Sequence, residues 1–454
     1  MPVRTNRRAF LKTAALAGAG GVMAQTVSAA RKARKKPGKK PPAKPVSPNE
    51  KLNIAIIGVW GRGRANLGGV RGENIAALCD VDARNLARQA KAFPQAKQYK
   101  DWRKAIDQKD LDAVVISTAD HHHALCAVAA MNRGLSVYCE KPLGHTVQEA
   151  RLVRETYVAR RDKIATQMGT QIHATENYRR VVELVQAGAI GPVREAHVWC
   201  SRRGPGGGLP QGEQPVPAHL DWDIWLGPAP HRPYNGRYLP GNLTWNRYWD
   251  FGNGTLGDMG SHLIDLPFWA LGLRQPLTVE ATGDPAPPSP HTCSKWLICT
   301  WEHPARGDAP PVKLTWYDGV KMPKSPPGFD LAKNKYRNIG VMFVGDGGTL
   351  VADYRKHTLL PAEKFKTYQR PEKKIPKSRG HYNEWLHGCK TGAPTLCNFD
   401  YSGMLIEHNL LGNVAFRVGK KLQWDPKTLK AVGCPEADKF IRKTYRQGWD
   451  ITKL

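Results

Sequence analysis

The chain has 454 residues, enough for two or three domains with cores of their own. Its formal charge of +29 would suggest nucleic acid or a membrane surface as partner, but the charge is unevenly placed. Residues 1–50 hold twelve Lys/Arg against one acid, Glu50, and the excess in the other 404 residues is scattered. A scattered excess makes no stripe that could follow a phosphate backbone, so nucleic-acid binding is excluded as an expectation.

The first segment, "TNRRAFLKTAALAGAGGVMAQTVSAA", sets Arg7-Arg8 before Phe10, Leu11 and Lys12, then an Ala/Gly-rich apolar run and small residues at Val27-Ser28-Ala29. Charged, apolar and small-residue regions in that order resemble a twin-arginine signal, which exports proteins already folded. The resemblance implies the twin-arginine export machinery as a partner and a periplasmic or other extracytoplasmic location. The apolar run is too short and glycine-rich for an integral membrane span. Residues 31–50 read as a basic, Pro-rich linker. Nine cysteines with no CxxC pair argue against metal and redox motifs, and a chain folded before export keeps its thiols reduced.

From Leu52 short apolar runs alternate with helical stretches. "LNIAIIG", "NIAALCD", "DAVVIST" and "SVYCEKP" read as strands, with helices at "GRANLGGV", "NLARQAKAF", "DWRKAID" and "HALCAVAAMNRG". This order predicts a Rossmann-type, doubly wound parallel sheet over residues 51–172. Gly58, Gly61 and Gly63 mark the first strand-to-helix turn, where backbone amides cradle a pyrophosphate. Trp60 stands where the middle glycine of G-x-G-x-x-G is expected. Asp80 ends the second strand, placed to bind a ribose 2′-hydroxyl and to repel a 2′-phosphate, which predicts NAD with NADP possible. Arg62, Arg64 and Arg84 pull the other way.

Further along, Ser117, Thr118 and His123 follow the third strand, and Glu140-Lys141-Pro142 follows the fourth. With "TQMGTQIHATENYRR" (166–180), "GTLGDMGSHLIDLPFW" (254–269) and "HYNEWLHGCKTGAP" (381–394), this ordered set resembles the glucose–fructose oxidoreductase/inositol dehydrogenase/rhizopine catabolism (Gfo/Idh/MocA) family. The resemblance runs over residues 52–425. It implies a second, α+β domain over 173–425 with a large open, mainly antiparallel sheet that holds substrate and often forms an oligomer interface. Residues 426–454 are expected as a C-terminal extension.

Alcohol oxidation by hydride transfer needs a group to take the hydroxyl proton and a neighbour to polarise the forming carbonyl. Lys141 ends a strand at the carboxyl edge of the sheet, where ligands of such folds bind. The run "GDMGSHLIDLPFWALG" predicts one helix with Asp258, His262, Asp265 and Trp269 on a single face. The resemblance makes His262 the general acid/base, Asp258 its partner and Lys141 the third catalytic group. Candidate cofactor contacts are Gly58, Trp60, Gly61, Arg62, Gly63, Asp80, Ser117, Thr118, His121, His123, Glu140, Lys141 and Gln167. Candidate substrate contacts are Lys141, Tyr178, Arg179, Trp249, Asp258 and His262. No metal site is expected, since the triplet His121-His122-His123 precedes a helix start without a third ligand at suitable spacing.

Later strands are predicted at "VREAHVWCS", "LTVEATG", "KWLICTWE", "VKLTWYD", "VMFVGD" and "GTLVADY". Residues 199–269 contain six tryptophans, suited either to stacking on sugar C–H faces or to a core. Residues 203–217 form a loop suited to a pocket lid, and 303–311 and 321–337 read as surface loops. The expected function is an NAD(P)-dependent oxidoreductase acting on a sugar, sugar derivative or cyclitol, with tightly bound cofactor. One alternative is a redox-neutral NAD-dependent glycosidase or lyase; another is a non-catalytic sugar-binding protein, against which intact Lys141, Asp258 and His262 argue.

Overall fold

Six short apolar runs in the first third of the chain form one parallel sheet: β1 (Asn53–Ile57), β2 (Asn74–Cys79), β3 (Lys97–Tyr99), β4 (Ala113–Ile116), β5 (Ser136–Cys139) and β6 (Thr166–Met168). Their order is β3-β2-β1-β4-β5-β6, with the direction of travel reversing between β1 and β4. The computed structural model describes residues 50–204, 207–239 and 243–453; the segment expected to be an export signal and nearly all of the expected basic linker lie outside the described residues. Strand alternation splits the core. Ile54 and Ile56 face one side with Leu67, Val70 and Trp385, while Ala55 and Ile57 face the other with Trp102 and Leu125.

Two strands of this sheet escaped the sequence reading, as did three short strands of the second sheet near its edges, at His357–Leu360, Leu422–Asp425 and Lys430–Val432. β3 is three residues of Lys-Gln-Tyr at an edge, and β6 is three residues of Thr-Gln-Met, so neither carries an apolar run. The helix after β4 is also longer than expected. It spans Asp120–Asn132, so the three histidines lie within its first turn instead of before it. Every residue from Asp120 to Met131 is buried, which erases the one-sided pattern that marks a helix start.

The second sheet has nine strands in the order β13-β12-β11-β7-β10-β9-β8-β14-β15. They are β7 (Val193–Cys200), β8 (Thr278–Asp284), β9 (Trp296–His303), β10 (Val312–Asp318), β11 (Ile339–Gly345), β12 (Gly348–Ala352), β13 (His357–Leu360), β14 (Leu422–Asp425) and β15 (Lys430–Val432). Pairing is antiparallel except between β7 and β10. The expected α/β class, with a parallel sheet followed by a mainly antiparallel one, is the observed architecture. Residues 321–337 differ from expectation: Leu331 and Tyr336 are buried against Trp199 and Met342 on the outer face of the sheet.

Residues 52–454 pack as one unit, because the C-terminal third returns to the first sheet. Helix His381–Thr391 places Trp385 and Cys389 in the core beneath β1 and β4. Helix Phe399–Val418 lies against helix Val147–Val158 and β8, with Arg151 making a two-pronged ion pair to buried Glu407. A boundary at residue 425 cuts the β14–β15 hairpin, and beyond it Trp449 packs on Trp102 while Lys443 pairs with buried Glu149 at 2.7 Å. All nine cysteines are buried thiols.

Candidate active site

A cleft of about 830 Å³ opens at the carboxyl ends of β1, β2, β4 and β5. That size lies within the roughly 300–1,000 Å³ typical of ligand pockets. Its floor is the glycine turn. Gly58 has φ of 80° and lies so close to β4 that a Cβ would stand 2.7 Å from the Ser117 carbonyl oxygen. Gly63 packs against the Gly58 carbonyl, with room for no side chain. Gly61 (φ 57°) precedes helix Arg62–Val70, and no side chain caps that helix. Only glycine holds φ and ψ of this kind without strain.

Trp60, in the middle-glycine position, turns its indole outward. It is 40% exposed at the cleft edge, with the Arg64 guanidinium 5.6 Å and that of Arg88 5.0 Å from the ring centre. The backbone at residue 60 is therefore free to follow the turn. Asp80 closes the far end, accepting backbone N–H bonds from Val59 (3.1 Å) and Asp82 (2.9 Å). Burial raises its carboxyl above the usual range, against the pull of those two bonds.

Glu140 is the hub behind the turn. Its Oε1 accepts from Arg62 Nε (2.9 Å), Asn66 Nδ2 (3.0 Å) and Gln171 Nε2 (3.1 Å). Burial alone would raise its carboxyl; Arg62 and Lys141 outweigh it, and the group is held below its ordinary value. Ser117 and Thr118 line the cleft, and the Thr118 hydroxyl is buried without a partner among the described residues. His123 joins them, its ring nitrogens 2.7 Å from the Pro142 carbonyl and 3.0 Å from that of Thr118.

At the inner wall, Lys141 and His262 both line the cleft, and Asp258 lies behind them. Asp258 is bonded to Lys141 and to Arg202, so the expected Asp258–His262 partnership gives way to an Asp258–Lys141 pair. Both Asp258 oxygens are taken, Oδ1 by Lys141 and Oδ2 by Arg202, and residues Leu256–Gly260 that carry Asp258 form a π-turn. Burial would raise the Asp258 carboxyl, but the Lys141 and Arg202 cations hold it below its ordinary value. Burial, with Lys141 adding to it, drives His262 down to about 4, and its Nδ1 is buried without a partner. At neutral pH this imidazole is uncharged and able to accept a proton.

Asp265 and Trp269 do not face the cleft. After the π-turn come the short helices Ser261–Leu263 and Asp265–Ala270, and Asp265 and Trp269 on the second hold His173 instead. His173 Nδ1 lies 2.9 Å from Asp265, and the Trp269 ring stacks on it at 3.9 Å. Burial opposes charging of His173, but Asp265 prevails and raises it to about 10.

Five further candidate residues lie away from the cleft. Tyr178 is fully buried and its hydroxyl donates to the His262 carbonyl at 2.9 Å, so it positions the base without reaching the cleft. Arg179 donates to the Pro376 carbonyl (2.8 Å) beneath helix Glu176–Gln186. His121 is enclosed between the carbonyls of Trp225 and Phe251, and Gln167 donates to the His381 carbonyl at 2.7 Å. Trp249 faces a different cavity. Of the expected lid loop, residues 207–217 are held to the neighbouring segment through Asn235, which donates to the carbonyls of Gln211 and Gly212; the outer wall comes from Leu220, Trp225, Leu243 and Trp245.

Sequence reading missed Asp120, His122, Gln171 and Arg202. Asp120 lines the cleft, and burial, reinforced by Asp258, raises its carboxyl well above the usual range despite Lys141. Its place directly after the Ser117-Thr118 turn is the one signal that could have found it. Arg202 follows β7 without any motif of its own.

The uncapped helix terminus beyond two positive-φ glycines, the unpartnered Thr118 hydroxyl and the carboxylate ending β2 suit a pyrophosphate, a polar nicotinamide-ribose end and a ribose. Fold and site together define a dinucleotide-binding Rossmann domain joined to an open-sheet domain. Both match the Gfo/Idh/MocA oxidoreductases: residues 52–168 match the family's NAD-binding Rossmann fold and residues 206–305 its C-terminal alpha/beta domain.

Among curated relatives, inositol 2-dehydrogenase of Salmonella typhimurium is 33% identical over 152 residues, 32% of this chain and 44% of that protein. A glycosyl hydrolase family 109 protein of Solibacter usitatus is 31% identical over 210 residues, 41% of this chain and 44% of that one. The matched stretches thus span less than half of these relatives. The WlbA dehydrogenase from Bordetella pertussis, solved in complex with NADH and UDP-GlcNAcA, shares the fold at a TM-score of 0.58 and 12% identity, over 83% of this chain and 99% of that chain.

Proposed function

We propose that the protein is an NAD-dependent oxidoreductase moving a hydride to or from a hydroxyl-bearing carbon of a sugar, sugar derivative or cyclitol. The observation that carries this reading is the convergence of Lys141 and neutral His262 on a cleft floored by a glycine turn. NAD⁺, held by the turn, Asp80 and the Ser117-Thr118 edge, would supply the hydride acceptor. The His262 imidazole takes the hydroxyl proton as the C–H bond gives up its electron pair. The Lys141 ammonium donates to the same oxygen and steadies its growing negative charge. Asp258, paired with Lys141, fixes that ammonium in place. Similarity to an inositol dehydrogenase, and the sugar nucleotide in a fold relative, support the substrate class.

A second reading is favoured by the similarity to glycosyl hydrolase family 109 proteins: oxidation and reduction on one sugar, with elimination between, and no net change in cofactor. The twin-arginine-like N-terminus leads us to place the protein outside the cytoplasm, carrying its cofactor with it, and we expect a homo-oligomer. Purified protein incubated with sugars, cyclitols and glycosides, followed by nicotinamide absorbance and product mass, tests both readings. Reduced cofactor with an oxidised product supports the dehydrogenase; cleaved glycoside with unchanged cofactor supports the second reading. Neither product from any class would overturn both.

A further inference from the structure

A second cavity, of about 270 Å³, lies between helix Phe399–Val418, the start of helix Val147–Val158 and the C-terminal segment around residues 439–444. Its lining includes four cations, Arg417, Lys439, Arg442 and Lys443, and one acid, Asp250. We propose that this cavity is a binding site for a small oxyanion, a phosphate or a compact carboxylate, held by Arg417 and Lys439.

The argument rests on which charges are already matched. Asp250 accepts from Arg232 at 2.8 Å. Arg442 is bonded to Asp438, and Lys443 lies 2.7 Å from Glu149. That leaves two cations. Among the described residues no carboxylate pairs with Arg417 or Lys439, and no carbonyl accepts a hydrogen bond from either.

Arg417 is held by its faces instead, 4.8 Å from the Trp249 ring and 4.1 Å from the Phe440 ring. The two rings confine the cation, and among the described residues its N–H groups have no acceptor, which leaves a fork suited to two oxygens of one anion. Burial pulls Arg417 down to about 10, which still leaves it charged at neutral pH. An enclosed cation without a counter-charge costs stability, and an anion that enters relieves that cost. Polar amides and a hydroxyl complete the lining at Asn253, Asn413 and Thr444, while the cavity's size limits the ligand to a few heavy atoms.

This site is separate from the cleft, so its test does not depend on the cleft's chemistry. Full-length protein, saturated with NAD⁺ to cover the glycine turn, is titrated calorimetrically with inorganic phosphate and, separately, with malonate at constant ionic strength. The expected result is saturable one-site binding of at least one of the two anions. Arg417→Gln should weaken it tenfold or more. Lys439→Ala, at an exposed position where folding is not at stake, should weaken it severalfold. No saturable binding of either anion, or binding unchanged in Lys439→Ala and Arg417→Gln, would overturn the proposal.

Discussion

Lys141 and Asp258, 117 residues apart in the chain, form a buried ion pair that joins the end of β5 to the π-turn of the second domain. The pair sets the wall against which His262 is presented. Removing either member should therefore disturb chemistry and packing together.

Lys141→Met and His262→Gln should each lower turnover by about 10²–10⁴, the usual worth of acid–base groups. Breaking a buried pair costs ~3–5 kcal/mol in general. Half-exposed Arg202 stays with Asp258, so Lys141→Met should lose less than that, on the order of 1–3 kcal/mol. Chemical denaturation beside steady-state kinetics separates the two effects, and near-normal turnover in either variant removes that residue from the mechanism.

Acid and alkali should unfold the protein through different histidines. For His262 the folded value of about 4 lies below the unfolded 6.5, so the unfolded chain binds the proton first as pH falls. Stability then drops between pH 6.5 and 4, by about 3 kcal/mol for this group. For His173 the folded value is about 10, so its contribution is complete below 6.5 and lost as pH rises through about 10. Melting temperature against pH should show a shallower acid slope in His262→Gln and a smaller alkaline loss in His173→Gln; slopes identical to wild type contradict these assignments.

Asp80 should make NAD bind tighter than NADP, since a 2′-phosphate would meet a buried carboxyl already engaged with two backbone amides. Asp80→Ser should narrow the preference by tenfold or more. Fluorescence titration of cofactor-free protein measures this directly, and a wild type that prefers NADP refutes it.

Trp60, flanked by Arg64 and Arg88 at the cleft mouth, should slow cofactor release. Protein purified without added nucleotide should carry near-stoichiometric NAD(H), visible by mass spectrometry after denaturation. Trp60→Gly should exchange it several times faster. Empty wild-type protein with rapid exchange would dissociate the indole from retention.

How far the sequence can be read depends on what each element buries. β1, β2, β4 and β5 were legible because their residues are apolar on both faces, whereas β3 and β6 are three-residue strands of mainly polar residues, the second fully buried. Gly58, Ser117, Lys141 and His262 could be placed in the cleft from motif order. The direction of Asp258 could not, because the two cations that engage its oxygens, Lys141 and Arg202, come from strand ends far away in the chain. Tyr178, Arg179 and Gln167 sit beside motif residues in the chain, yet their side chains point into the core, which adjacency does not reveal. Arg202 reaches Asp258 from another strand end, a relation only the fold creates.

The return of helix His381–Thr391 to the first sheet also sets an order of events during synthesis. β6 ends at Met168, yet Trp385, which covers β1 and β4 from below, is made more than two hundred residues later. On the ribosome, Leu67, Val70 and Leu86 cover part of the face of Ile54, Ile56 and Val115 early, but the part under Trp385 waits until most of the chain has emerged. The nucleotide-binding half therefore completes its core only with the later helix. Chaperone contact should persist through synthesis of the second sheet, and stalled chains ending before residue 381 should be protease-sensitive within β1–β6.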